Sequence, residues 1–89
     1  MKIEFDPAKN EANIRDRGLS FELAESFDFE TAVIWLDTRK AYPEVRFSAL
    51  GSLDGRVYSL VFTEAENGIR VISFRKANKR EVRRYAQEI

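Results

Sequence analysis

The chain contains neither cysteine nor histidine. Without cysteine there is no disulfide, no thiol nucleophile and no thiolate metal site. The missing histidines exclude more. No Ser-His-Asp arrangement, Cys-His pair or imidazole general base can be built, and a zinc site would rest on carboxylates alone. Any catalysis must therefore use Arg, Lys, Glu, Asp, Tyr or Ser, and no cofactor or metal is expected. No apolar run approaches the ~20 residues of a membrane span. The N-terminus lacks a signal-peptide pattern, so the expected location is the cytoplasm, with no membrane partner.

What is present suits one small domain over residues 1–89, with 44% apolar and 12% aromatic residues, the content of a folded chain. The formal net charge of zero argues against an indiscriminate polyanion binder. Charge is unevenly spread, however: the last third is basic, whereas Glu22, Glu25, Asp28 and Glu30 form an acidic segment.

The chain is organised around residues 71–85, which read as a strand running into a basic helix. Ile72 and Phe74 are expected on one strand face and Ser73 and Arg75 on the other. Asn78 is an N-cap, with Glu81 three residues on to complete a capping box. Val82, Tyr85, Ala86 and Ile89 then make one apolar stripe. Lys79, Arg80, Arg83 and Arg84 fall on another arc. With Arg75 and Lys76 they gather positive charge at a strand end and a helix N-terminus, where an anion is favoured.

Upstream, residues 2–5 alternate as a short edge strand. Asp6-Pro7 starts a polar helix that runs to about Arg17 and stops at Gly18. Ser20 caps a second short helix, whose Phe21, Ala24 and Phe27 share a face. Strands are predicted over 31–37, 44–53, 56–64 and 69–76, with turns at Asp54-Gly55 and Asn67-Gly68. The expected fold is α+β: an antiparallel four-stranded meander, plus the short N-terminal strand, with two N-terminal helices and one C-terminal helix. Apolar residues on both faces of the middle strands (Val57 and Val61; Tyr58, Leu60 and Phe62) require both sheet faces to be at least partly covered.

A set of segments spread over nearly the whole chain resembles the BrnT-like toxins of bacterial type II toxin–antitoxin pairs. These are Phe5-Asp6-Pro7-Ala8-Lys9 with Asn13, Arg17-Gly18-Leu19-Ser20-Phe21, Arg46-Phe47 through Gly51, Asp54-Gly55-Arg56-Val57, Val61-Phe62-Thr63-Glu64, and Ile72 through Ala77 with Arg80-Glu81 and Tyr85. The resemblance implies a RelE-like ribonuclease fold, RNA cleavage and growth inhibition. It also implies a BrnA-like antitoxin that occludes the toxin, and contact with operator DNA only through the toxin–antitoxin complex. One departure stands out: many relatives carry His just before the glycine, where this chain has Arg17, a group that cannot act as a base near neutral pH.

RNA is cleaved without a metal when its 2′-hydroxyl attacks the adjacent phosphorus. Guanidinium groups suit the binding of that phosphate and the stabilisation of its extra charge. Arg75 is the first candidate, then Arg80, then Arg46 and Arg56 on strands that can neighbour the last. Lys76, Lys79, Arg83, Arg84, Arg17 and Lys9 are candidate RNA contacts. Glu44, Glu64, Tyr85 and Lys76 are all open as proton acceptor, and nothing in the sequence chooses among them.

The plainer alternatives are specific. A strand arginine such as Arg46 or Arg56 is commonly half of a surface ion pair. Tyr85 sits on the apolar stripe, and Tyr58, Phe62 and Phe74 suit the core better than a base-stacking platform. Lys9, Asn13 and Arg17 share a helix face that solvent alone would explain. The competing function is a non-catalytic domain of toxin ancestry that binds nucleic acid or a partner.

Overall fold

A computed structural model describes residues 1–88. The elements are β1 (Lys2–Glu4), α1 (Pro7–Arg17), a 3-10 helix (Phe21–Ser26), β2 (Val33–Leu36), β3 (Phe47–Leu53), β4 (Arg56–Ala65), β5 (Gly68–Lys76) and α2 (Lys79–Glu88). They build a five-stranded sheet in the order β1-β5-β4-β3-β2. The meander from β2 to β5 is antiparallel as expected, but the sheet as a whole is mixed. β1 joins it in parallel with β5, Ile3 opposite Ile69. The helices between β1 and β2 carry the chain from one edge of the sheet to the other, so that β1 lies beside β5 although the two are far apart in sequence. Gly68 permits it, because a side chain there would run into the backbone of Lys2.

The second N-terminal helix is a 3-10 helix, with an explanation in its spacing. Phe21, Ala24 and Phe27 recur every three residues, and a helix of three residues per turn stacks them along one line. All three are buried. They cover one sheet face, packing with Ala49, Leu53, Tyr58, Leu60, Phe62, Ile69, Val71 and Phe74 in a single core. The rings of Phe27 and Phe74 meet edge-on at 6.3 Å. Gly51 leaves the room that the Phe27 ring occupies. Tyr58, Phe62 and Phe74 are therefore core residues.

β5 departs from simple alternation. Val61 pairs with Ser73 but Phe62 with Val71, so Ile72 is the extra residue of a bulge. Val71 and Phe74, rather than Ile72 and Phe74, both enter the core. Arg75, opposite Ser59, stays on the outer face. There α2 contacts β3 and β4. Its predicted apolar stripe is only partly used: Val82 and Ala86 are exposed and Tyr85 is half-buried, while Ile89 lies outside the described residues.

α1 has almost nothing apolar to bury and is held by amides. The Asn10 Oδ1 accepts from the Phe21 N–H at 2.8 Å. Asn13 Nδ2 donates to the carbonyls of both Leu19 and Phe74, each at 2.9 Å. The Asp6 carboxylate caps the helix by accepting from the Ala8 N–H, and Gly18 ends it at φ 65°.

Candidate active site

The two bonds from Asn13 draw the end of α1 against the end of β5. Between them opens a cleft of about 440 Å³ lined by Arg17, Gly18, Leu19, Tyr58, Arg75 and Lys76. The left-handed turn at Gly18 places Arg17 at the rim, while Arg75 and Lys76 enter from the last strand. A second cleft of about 350 Å³, lined by Gly55, Arg56, Val57, Lys76, Ala77 and Val82, adjoins it across Lys76. Four cationic side chains thus surround one strand end.

Arg75 is fixed in place. Its Nη1 and Nη2 donate to the two carboxylate oxygens of Glu81 at 2.8 and 3.0 Å, and Nη1 also donates to the Lys76 carbonyl at 3.3 Å. Glu81 Oε1 accepts in addition from the Asn78 N–H at 2.9 Å, and Asn78 Oδ1 accepts from the Glu81 N–H at 2.9 Å. The predicted capping box is formed. Hydrogen bonds from Arg75 hold the Glu81 carboxyl below its ordinary range, and those same bonds raise the Arg75 pKa. The positive charge of Arg39, on the loop after β2, acts against Arg75 in the opposite sense.

A family model described as "Ribonuclease toxin, BrnT, of type II toxin-antitoxin system" matches residues 5–81. The chain belongs to the BrnT family. None of the curated proteins matches it. The family match spans both walls of the cleft, from α1 to the first turn of α2. BrnT membership makes the chain a type II ribonuclease toxin, whose system includes an antitoxin partner.

Of the residues singled out in this BrnT sequence, the structure brings Arg75, Lys76 and Arg17 to one cleft and Arg56 to its neighbour. Arg80 is exposed in the first turn of α2 and, among the described residues, has no ion-pair partner. Its charge also helps to hold Glu81 ionised.

Arg46 lies away from this cleft. β3 starts at Phe47, so Arg46 sits in the preceding loop. That is the end of the ladder where Phe47 meets Phe62, while Arg75 lies opposite Ser59. Its Nε donates to Glu44 at 2.6 Å and its guanidinium stacks on Tyr42 at 4.1 Å. The plain ion pair describes it. Arg84 is likewise occupied, over the Trp35 ring at 4.0 Å and bonded to Glu88 at 3.0 Å. Lys79 and Arg83 are exposed on α2, and neither lines the cleft. Lys9 shares only a separate hollow with Arg17, between α1 and the Ile72 bulge.

Among the candidate proton acceptors, Glu44 is paired with Arg46, and Glu64 lies opposite Ile69, at the end of β5 remote from Arg75. Only Lys76 lines the cleft. Three contributors were not singled out from the sequence for these roles: Asn13 as the tie between walls, Tyr58 as cleft lining, and Glu81 as the partner of Arg75. The capping-box pattern exposed Glu81 but not its bond across the strand–helix junction.

Proposed function

We propose that the chain is a metal-independent endoribonuclease whose active site is the cleft between α1 and β5. The 2′-hydroxyl of a bound ribonucleotide attacks its own 3′-phosphorus, the P–O bond to the next 5′-oxygen breaks, and a 2′,3′-cyclic phosphate forms. The 2′-hydroxyl loses a proton and the leaving oxygen gains one. Arg75 and Arg17 hold the non-bridging oxygens and offset the charge that builds on them, and Lys76 adds a third cation. The observation that carries this proposal is the convergence of Arg17, Arg75 and Lys76 on one cleft. A cationic lining also repels a divalent metal, which supports chemistry without one. The antiparallel meander with a basic strand end is compatible with the RelE-like architecture that the resemblance implies.

The test is RNA cleavage by purified protein in EDTA. We expect new RNA ends, lost by about 10²- to 10³-fold in Arg75→Ala, the usual effect of removing one charge-stabilising donor. On induction, Arg75→Ala with Arg80→Ala is expected to relieve growth inhibition while leaving the fold intact. Full toxicity of that double variant at equal expression overturns the site.

In this proposal a BrnA-like antitoxin covers the basic cleft, and the pair rather than the toxin contacts operator DNA. β2 is an edge strand with Ile34 and Leu36 exposed, which suits strand addition by such a partner. A second reading, a domain that binds its antitoxin but no longer cleaves, is favoured by one feature: Arg17 stands at the cleft where many relatives have His. The same EDTA experiment separates the two.

A further inference from the structure

Glu81 does more than close the capping box of α2. An arginine side chain carries five N–H donors in one plane. In Arg75, Nη1 spends its hydrogens on Glu81 Oε1 at 2.8 Å and the Lys76 carbonyl at 3.3 Å, and Nη2 spends one on Glu81 Oε2 at 3.0 Å. These contacts occupy the outer end of the guanidinium and the side nearest Cδ. Nε–H and the second Nη2 hydrogen remain. They project in parallel from the same edge, and among the described residues nothing accepts from them. Two parallel N–H groups on a planar edge match two oxygens of one phosphate.

We infer that Glu81 is a positioning residue, which grips Arg75 by its outer end and leaves the Nε/Nη2 edge free as a two-oxygen phosphate clamp at the cleft that Arg75 lines. Glu81 can do this because it is itself anchored by the Asn78 N–H at the start of α2. Its negative charge weakens the field of Arg75, while Arg17 and Lys76 line the same cleft as further cations. Glu81 thus exchanges charge for orientation, which matters most at the transition state, where the geometry of the phosphate oxygens is most demanding.

The clamp serves the RNA chemistry proposed above, and binding and turnover are measured separately so that each can fail alone. Glu81→Gln is the informative variant. Glutamine at this position still accepts from the N-cap N–H, but its amide cannot accept from both Nη groups. We expect unchanged helix content and a kcat for RNA cleavage lower by about 10- to 100-fold, with KM changed by less than kcat. A wild-type kcat overturns the inference, and so does a loss of activity accompanied by loss of α2 helix, which would reduce Glu81 to a cap. If the wild-type protein cleaves no RNA, the nuclease proposal falls by itself. The clamp is then scored by the NMR signal of Arg75 Nε–H. Adding a non-cleavable 2′-deoxy oligonucleotide should shift that signal in wild type and not in Glu81→Gln. An unmoved wild-type signal overturns the clamp as well.

Discussion

Asn13 contributes more to the cleft than any apolar residue of its helix. Ile14 is 41% exposed, whereas one Asn13 amide group bonds a carbonyl on each wall, Leu19 and Phe74. Asn13→Ala leaves both part-buried carbonyls without that partner and should cost about 1–3 kcal/mol. Because the bonds join α1 to β5, the loss should also weaken RNA binding while leaving Arg17 and Arg75 intact. Urea unfolding and oligonucleotide affinity check the two parts. Gly51 presents the opposite case, where an addition is harmful. Gly51→Ala would push a methyl group into the Phe27 ring and should destabilise by about 1–3 kcal/mol, the usual cost of overpacking. Thermal unfolding reads it directly.

At the scale of elements, the sequence disclosed what local chemistry controls. The Asp6-Pro7 start, the Gly18 stop, the Asp54-Gly55 turn and the Asn78/Glu81 box are each written within a few residues, and all are present. The convergence of Arg75 and Lys76 was legible because they adjoin that box. What escaped depends on pairing between distant segments. The parallel docking of β1 on β5 brings together strands far apart in sequence, and the bulge at Ile72 follows from fitting both Val71 and Phe74 into one core. The same limit explains Arg46. Its strand-like neighbours suggested a place beside Arg75, but β3 begins one residue later and Glu44 and Tyr42 claim the guanidinium.

The whole molecule carries a sensitivity to acid that its zero net charge conceals. The Asp37 side chain is only 1% exposed and accepts from Arg39 Nε and Nη2 at 2.8 and 2.7 Å. Those bonds lower its pKa to about 2. A carboxyl whose folded pKa lies below its unfolded value of about 3.9 stabilises fully above that value and loses its contribution as protons bind. Stability should therefore fall as the pH drops from about 4 toward 2, with Glu81 adding to the same trend. Asp37→Asn should be less stable at neutral pH and lose less on acidification. Urea midpoints across that pH range check both, and an unchanged acid slope would remove Asp37 from the explanation.

The two walls of the cleft are written far apart, Arg17 before the meander and Arg75 in its last strand, and β1 pairs with β5. A chain still being synthesised therefore carries α1 but not the strand that completes the cationic pocket. The cell that makes this protein meets no complete cationic pocket until β5 has been translated, and products truncated before β5 should be harmless to it.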